Sequence, residues 1–159
     1  MDQSQDIIIE ILHKLPLFIE LHSTAIKELT ILAEEHLFHQ GETIFKENAC
    51  GNSIMVIISG EVRITQRARV SGEETLIVLK RGDFFGEMAL LEELPRSATA
   101  IAHSDTFMLE IGRDKFLRFI EKDPASGVKI LFTLAKILSS RLREADVKIK
   151  AFVNLSQWI

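Results

Sequence analysis

The sequence predicts a mainly β protein with flanking helices: an antiparallel, jelly-roll-like β-roll that follows N-terminal helices and precedes a long C-terminal helix. Apolar residues at helical spacing occupy both ends of the chain, and short β-rich runs separated by glycine or polar residues fill the middle. Many short strands in succession are typical of antiparallel rolls rather than of parallel sheets. We expect one domain in three parts, with helices at 1–36, the β-roll at 37–112 and C-terminal helices at 113–159.

Two helices are predicted in the first part of the chain. The first has apolar residues three and four positions apart, from Ile7 to Leu15, and ends at Pro16. Ser23 has a side chain that can cap a helix N-terminus, so we expect the second helix to start there. The apolar stripe of this second helix consists of Ala25, Ile26, Leu29, Leu32 and Ala33.

The middle of the chain contains six β-rich runs that are expected to form the roll. In one of them, Val62 and Ile64 alternate with polar residues, which is the pattern of a half-buried strand. The segment Phe84–Leu94 interrupts the strands and favours a short helix. The predicted strands are Thr43–Lys46, Ser53–Ser59, Glu61–Ala68, Thr75–Leu79, Arg96–Ala102 and Thr106–Ile111.

The C-terminal part is predicted to form a short helix over Asp114–Glu121 and then a long helix. The long helix begins at Asp123-Pro124, an N-cap acid followed by proline at the first helical position. Its apolar residues recur at alternating steps of four and three, as in a coiled coil. This seam could form a dimer, pack as a lid on its own roll, or do both, and we predict a homodimer. The seam consists of Leu131, Ala135, Leu138, Leu142, Ala145, Ile149, Phe152 and Ser156.

The composition indicates a folded protein of a reducing compartment. The 159 residues are 47% apolar and 26% charged, and no apolar run approaches the ~20 residues that cross a bilayer. Cys50 is the only cysteine, which excludes an internal disulfide. We therefore expect a cytoplasmic protein that does not associate with membranes. The net charge of −4 gives no sign of direct nucleic-acid binding.

Patterns of catalytic or metal-binding residues are missing from the sequence. It contains no H-x-H pair, P-loop or Ser–His–Asp arrangement, so we expect neither an enzyme nor a metal or other cofactor. His36 and His39 are three residues apart beside two glutamates, but they lie where a helix is expected to give way to a strand. We interpret them as a surface cluster rather than a metal site.

The stretch FFGEMALLEELPRSATA, residues 84–100, carries the chemistry of a ligand site. Gly86 permits close approach of the backbone, and the first amides of the following short helix are free to bind an anion. Arg96 presents a planar fork that matches a phosphate, and Ser97 adds a hydroxyl. Ionised Glu87 accepts hydrogen bonds, which suits sugar hydroxyls. These groups describe a site for a ribose phosphate, although an internal Glu87–Arg96 ion pair that braces the roll would also account for two of them.

The residues FGEMALLEELPRSATA closely resemble the phosphate-binding cassette of cyclic nucleotide-binding domains. Such domains occur in bacterial catabolite activators, in regulatory subunits of cyclic-AMP-dependent kinase and in cyclic-nucleotide-gated channels. HQGETIFKEN (39–48), IISGEVRIT (57–65) and KRGDFFGE (80–87) resemble the signatures that flank this cassette. The resemblance implies a β-roll whose last helix closes over the base of the ligand and, in catabolite activators, also dimerises.

The resemblance also implies roles for individual residues. Glu87 is expected to accept from the ribose 2′-hydroxyl beside the Gly86 amide, and the Ala89 amide to meet the cyclic phosphate. Arg96 is expected to pair with the phosphate oxygens, supplemented by Ser97. The implied ligand-binding set is Gly86, Glu87, Met88, Ala89, Arg96 and Ser97.

The base of the ligand is expected to contact the long helix. Where catabolite activators have a Thr-Ser pair that contacts adenine, this chain has Ala145 and Asp146, and an aspartate on this helix resembles the guanine reader of gated channels. We predict base contacts from Leu142 and Asp146. The predicted ligand is cyclic AMP or cyclic GMP, and the sequence leans to cyclic AMP.

These expectations combine into a non-enzymatic cyclic nucleotide sensor, whose long helix reports occupancy to an effector protein that the sequence does not identify. Two alternatives stay open. The chain is a fragment of a catabolite-activator-type transcription regulator, or it is a degenerate domain that binds no nucleotide and serves as a dimerising scaffold. The few residues after the seam are too short for a helix-turn-helix.

Overall fold

The computed structural model describes residues 3–68 and 72–156, and in these ranges it contains eight strands and five helices. The N-terminal helices are α1 (Gln3–His13) and α2 (Ser23–Leu32). The strands are β1 (Glu34–Phe38), β2 (Thr43–Phe45), β3 (Ser53–Ser59), β4 (Glu61–Ala68), β5 (Gly72–Lys80), β6 (Phe84–Phe85), β7 (Thr99–Ala102) and β8 (Thr106–Gly112). The remaining helices are α3 (Glu87–Leu91), α4 (Arg113–Lys122) and α5 (Pro124–Ser156).

The strands form two four-stranded sheets in which every paired neighbour is antiparallel. The first sheet has the order β1-β8-β3-β6 and the second the order β2-β7-β4-β5. β3 and β4 are consecutive in the chain but belong to different sheets, and Gly60, with φ of 86°, makes the turn between them. The predicted antiparallel β-roll with flanking helices and a long C-terminal helix is confirmed.

The two faces of β3 pack into two separate cores. Ile54 and Val56 pack with apolar residues of α1, α2, α4 and α5. Met55 and Ile57 point the opposite way and pack with Val62 of the second sheet. This alternation follows from the two-residue period of a strand. The roll therefore has an interior between its sheets and a layer of helices on the outer face of its first sheet.

The first strand, β1, is not among the predicted strands. β1 begins at Glu34, inside the part of the chain predicted to be helical up to residue 36, and α2 ends at Leu32. The β1 sequence, EEHLF, begins with three polar side chains, so the apolar alternation of a half-buried strand is missing. The N-cap of α2 is His22 rather than Ser23, and no side chain caps this helix.

The strand after the cassette starts later than predicted. β7 begins at Thr99 rather than at Arg96, because the backbone of Arg96 bonds to a loop instead of to a strand. The Arg96 amide donates to the Ala49 carbonyl oxygen at 2.9 Å, and the Asn48 amide donates to the Arg96 carbonyl oxygen at 2.8 Å. This pairing fixes the loop that precedes β3 against the end of the cassette.

The long helix begins where the sequence predicts. Pro124 is its first residue, and the Ser126 amide donates to the Asp123 carboxylate at 3.1 Å. The last two residues of the predicted seam, Phe152 and Ser156, have side chains that lie outside the described part of the structure. No helix in the described ranges has the length and apolar character needed to cross a bilayer.

Candidate functional site

Gly86 forms the junction between β6 and α3. Its φ of 78° is left-handed, and it is the N-cap of the helix. A Cβ at this position would lie 2.5 Å from Arg96 Nη1 and 2.9 Å from the Ser53 carbonyl oxygen. Glycine is therefore required for the turn and for the close approach of Arg96. The close contact that the sequence analysis assigned to a ligand is made here by the protein itself.

Arg96 is buried, with 5% of its surface exposed, and neutral acceptors hold it. Its Nη1 donates to the carbonyl oxygens of Ser53 at 2.8 Å and Gly86 at 3.2 Å, and its Nη2 donates to Ser53 Oγ at 2.9 Å. The guanidinium carbon lies 4.2 Å from the centroid of the Phe45 ring. Burial lowers the pKa of Arg96, and the negative charges of nearby carboxylates partly oppose this shift. Arginine nevertheless stays protonated in proteins.

The positive charge of Arg96 has no directly bonded anion among the described residues. It forms no salt bridge there, and its Nε is buried without a hydrogen-bond partner. Gly51 passes beside this atom: a Cβ built at Gly51 would overlap Nε and lie 2.5 Å from Cζ. A buried charge without a directly bonded counter-ion is costly, and the more distant carboxylates of Glu110 and Glu87 offset only part of that cost. Arg96 is thus a buried cation for which an anion from outside the protein would be a favourable partner.

Glu87 is the first residue of α3, is 7% exposed, and is contacted from the long helix. Arg141 of α5 donates from Nη1 to Glu87 Oε1 at 3.3 Å and from Nη2 to the Phe84 carbonyl oxygen at 3.0 Å. Its guanidinium also lies 4.8 Å from the centroid of the Phe84 ring. One side chain therefore links α5 to the β6–α3 junction. In the described structure the carboxylate of Glu87 is paired with Arg141, and not with Arg96 as the ion-pair alternative required.

A cavity of about 290 Å³ brings these groups together. Its apolar wall comes mainly from the roll, and its other side comes from α3, the end of the cassette and α5. The apolar wall consists of Phe45, Ile64, Leu76, Ile77, Leu79 and Phe85. All six residues of the predicted ligand-binding set line the cavity, namely Gly86, Glu87, Met88, Ala89, Arg96 and Ser97. The sequence thus identified residues that the fold assembles around one opening.

Three of these residues offer polar groups or flexible surface to the cavity. Ala89 is buried in the first turn of α3, where amides have no carbonyl partner inside the helix. Ser97 Oγ lies 3.7 Å from the Met88 sulfur, a weak acceptor that a phosphate oxygen could replace. The Ser97 carbonyl oxygen accepts from Gln66 Nε2 at 3.1 Å, which fixes the backbone at the end of the cassette.

The long helix lines the cavity with a different face from the one predicted. Its lining residues are Arg141, Glu144, Ala145 and Lys148, which are spaced by three, one and three positions. Leu142 and Asp146 do not line the cavity, and Leu142 is 64% exposed. Each is one position beyond a lining residue, or about 100° around the helix. The helical spacing of the charged residues could have identified this face as a candidate from the sequence. Our prediction instead chose the face from an alignment with the base-contacting positions of catabolite activators.

The two histidines singled out in the sequence have different partners. His36 Nε2 lies 2.8 Å from Glu110 Oε2. His39 Nδ1 lies 3.7 Å from Asp105 Oδ1, and both of these side chains are exposed. The pair therefore does not share a site. Cys50 is exposed and its thiol is free.

Comparisons with known proteins point to one family. Residues 35–123 match the family model described as cyclic nucleotide-binding domain. A cyclic AMP receptor protein of Thermus thermophilus is 36% identical over 137 residues, which cover 84% of this chain and 60% of that protein. A cAMP-dependent protein kinase regulatory subunit of Hypocrea atroviridis is 34% identical over 117 residues, covering 74% of this chain and 24% of that protein.

A solved structure extends the likeness to the fold. The crystal structure of the Thermus thermophilus catabolite activator protein aligns with a TM-score of 0.76 at 34% identity. The alignment covers 86% of this chain and 62% of that chain. The chain thus spans less than two thirds of the length of these relatives.

Proposed function

Because the chain belongs to the cyclic nucleotide-binding domain family, we propose that it is a non-enzymatic sensor for a cyclic purine nucleotide, cyclic AMP or cyclic GMP. The observation that carries the proposal is Arg96. Its charge is buried, only neutral groups bond to it, and it lines the same cavity as a carboxylate, Glu87. A cyclic ribose phosphate supplies an anion for the first group and a hydroxyl donor for the second.

The other lining residues give the ligand further contacts. The free amides at the start of α3, including that of Ala89, face an anion favourably, and Ser97 adds a hydroxyl. The apolar wall of the roll suits the faces of a purine. On the opposite side, Glu144 and Lys148 of α5 offer an acceptor and a donor for base edges. Base contacts from Leu142 and Asp146 remain a prediction, and these residues lie outside the cavity.

We propose that occupancy is reported through α5. Arg141 and the ribose would both bond to Glu87, so a bound nucleotide changes the partner set of the side chain that links α5 to the cavity. A ligand shifts a conformational equilibrium only through such a difference in contacts between two states. An effector protein would read the resulting position of the helix.

A second copy of the chain is the proposed partner of α5. The helix exposes a series of large apolar side chains, which is unusual for a helix that faces only water. These include Leu131, Phe132, Leu142, Val147, Ile149 and Val153. The cavity-lining stripe and the exposed apolar residues occupy different positions, so one helix can serve both contacts. A dimer would place the helices of two cavities side by side.

We assign no nucleic-acid contact to this domain, in keeping with its net charge of −4. An electrophoretic mobility shift with duplex DNA at low salt is expected to show no complex, and a complex would favour the transcription-regulator alternative. The free, exposed thiol of Cys50 is consistent with the cytoplasmic location expected from the sequence.

The test compares cyclic AMP, cyclic GMP and linear AMP by isothermal titration calorimetry and thermal shift. About 0.3 kcal/mol for each of roughly twenty-two non-hydrogen atoms predicts a Kd on the order of 10 µM for a cyclic nucleotide. Linear AMP carries one more negative charge and lacks the phosphate ring, so we expect weaker binding. If none of the three nucleotides binds at millimolar concentration, the domain is not a cyclic nucleotide sensor.

A further inference from the structure

A second group of polar side chains lies on β1 and β8 and does not line the cavity. Glu34 and His36 are two positions apart on β1, so their side chains leave the same face of the sheet. Glu110 of β8 is paired directly with Glu34 in the antiparallel register. One donor atom from each of the three lies within 4.8 Å of the other two. None of the three lines the nucleotide cavity.

The His36 ring packs on a neighbouring aromatic ring, and its Nε2 has no hydrogen-bond partner among the described residues. It stacks on Phe38, with the ring centroids 6.1 Å apart. Its Nε2 is 2.8 Å from Glu110 Oε2, yet it is buried and makes no hydrogen bond to any described residue. The short distance therefore lacks the direction of an N–H···O bond. His36 Nε2 is therefore available to a partner other than Glu110.

Glu34 is available as an anionic ligand. It accepts from Lys115 Nζ at 2.8 Å, and this hydrogen bond, together with the charge of Lys115, lowers the pKa of the carboxyl group. The Glu34 side chain is 63% exposed, so it can turn from the ammonium group towards an ion without disturbing the core. Lys115 is itself partly exposed and can move into solvent.

We propose that Glu34, His36 and Glu110 form a binding site for a divalent transition-metal ion of the Zn²⁺ type. One imidazole nitrogen and two carboxylate oxygens are ligands that Zn²⁺ binds at about 2.0–2.2 Å, with water in the fourth position. The imidazole disfavours Mg²⁺ and Ca²⁺, which select oxygen ligands. At these bond lengths the donor atoms of a tetrahedron lie about 3.3–3.6 Å apart. His36 Nε2 and Glu110 Oε2 must therefore separate from their 2.8 Å distance while the exposed Glu34 carboxylate turns towards the ion. The ion neutralises two carboxylates and displaces Lys115.

The experiment titrates the intact chain with ZnCl₂ in a non-chelating buffer at pH 7.5 by calorimetry. We expect one saturable site in the micromolar range and no binding of Mg²⁺ or Ca²⁺ at the same concentrations. Absence of a saturable one-to-one isotherm at pH 7.5 would overturn the proposal.

Matched variants identify the ligands. His36→Gln is expected to weaken Zn²⁺ binding at least tenfold, whereas His39→Gln, the same change three residues away, is expected to leave it unchanged. Glu110→Gln keeps the size of the side chain and is expected to weaken binding at least tenfold as well. Thermal unfolding in EDTA checks that each variant is folded. Wild-type affinity in folded His36→Gln or Glu110→Gln would overturn the site.

Substitution of Lys115 is expected to strengthen Zn²⁺ binding, whereas substitution of the ligands weakens it. Lys115→Met removes the ammonium group that competes for Glu34, so Zn²⁺ binding is expected to become several-fold tighter. Unchanged or weaker binding by this variant would overturn the ligand role of Glu34. The three residues do not line the proposed nucleotide cavity, but the Glu110 carboxylate is one of the charges that oppose the lowering of the Arg96 pKa. Each proposal is therefore tested by a titration with its own ligand, Zn²⁺ or the cyclic nucleotide.

Discussion

Replacing Gly51 with alanine is expected to displace Arg96 while leaving the other predicted ligand contacts in place. The added Cβ would overlap Arg96 Nε and lie 2.5 Å from Cζ and 2.8 Å from Cδ. These atoms are in the middle of a buried side chain, so the clash cannot be relieved by moving only its tip. The guanidinium must then leave its hydrogen bonds to Ser53 and its place over Phe45.

The expected magnitudes follow from what Arg96 contributes. A charge-assisted contact to phosphate is worth about 1.5–3 kcal/mol, which corresponds to a roughly 10–150-fold change in Kd. Overpacking of a buried site costs about 1–3 kcal/mol of stability, which lowers Tm by about 2–12 °C for a chain of this size. Gly51→Ala should therefore bind cyclic nucleotides at least tenfold more weakly and melt several degrees lower.

Gly112→Ala is the matched control for this experiment. A Cβ at Gly112 would meet no atom within 4 Å, and the φ of −68° accepts any residue. As Gly112 is the N-cap of α4, the change is expected to cost about 1 kcal/mol of stability or less and to leave nucleotide affinity unchanged. Calorimetric titration of both folded variants decides the matter. Wild-type affinity in Gly51→Ala would refute the placement of the phosphate at Arg96.

Three further predictions concern the long helix. Arg141→Ala should change nucleotide affinity less than tenfold but abolish ligand-induced protection of α5 in hydrogen exchange, and unchanged protection would exclude Arg141 as the link. Ile149→Glu should convert the proposed dimer to a monomer in sedimentation velocity, whereas an unaltered dimer would place the interface elsewhere. Asp123→Ala should lower Tm at neutral pH. Hydrogen bonds from the side chain and backbone of Ser126 lower the pKa of Asp123, so its contribution exists above the unfolded pKa and is lost on acidification. The Tm difference should therefore close as pH falls below the usual carboxylate range, and a constant difference would contradict this assignment.

The parts of the site that are contiguous in sequence could be predicted from it. Gly86, Glu87 and Arg96 lie within one turn, one short helix and the loop that follows, so local chemistry and the family resemblance both identify them. The change between helical and strand spacing of apolar residues at each end of the roll could also be seen in consecutive residues. The groups that hold Arg96 could not be predicted in this way. Ser53, which accepts its hydrogen bonds, is 43 residues away in the sequence, and Gly51 matters because a side chain there would clash with Arg96.

The face of the long helix that lines the cavity could not be predicted either, because it also depends on contacts between residues distant in the sequence. Its apolar seam and its charged stripe both have helical spacing, and only tertiary packing decides which stripe faces the cavity. The link from Arg141 to Glu87 and the buried Leu134 fix that rotation, and the sequence analysis weighed neither as a cavity contact. β1 was not predicted because Glu34 and His36 are polar, so the strand lacks the alternation of apolar residues by which a half-buried strand is detected.

Arg96→Met distinguishes a sensor from the scaffold that the sequence left open. Replacing the buried charge with an apolar side chain of similar volume removes its desolvation penalty, which is on the order of several kcal/mol for one ion. The Ser53 and Gly86 acceptors lose their donor, at a cost of about 1–3 kcal/mol for each buried group left unsatisfied, which opposes this gain by a similar amount. We therefore expect the ligand-free Tm of Arg96→Met to stay within a few degrees of wild type.

The nucleotide response of the same variant completes the comparison. A ligand at one hundred times its Kd stabilises a protein by about 2.7 kcal/mol, and this gain should be present in wild type and absent in Arg96→Met. A scaffold braced by Arg96 would behave in the opposite way: the variant would lose several kcal/mol of stability, and neither protein would respond to nucleotide. Arg96 bonds only to neutral groups within the described structure, and the charges of Glu110 and Glu87 oppose only part of the cost of its burial. An anion that binds at Arg96 is therefore expected to stabilise the folded protein, whereas an internal brace would give no such response.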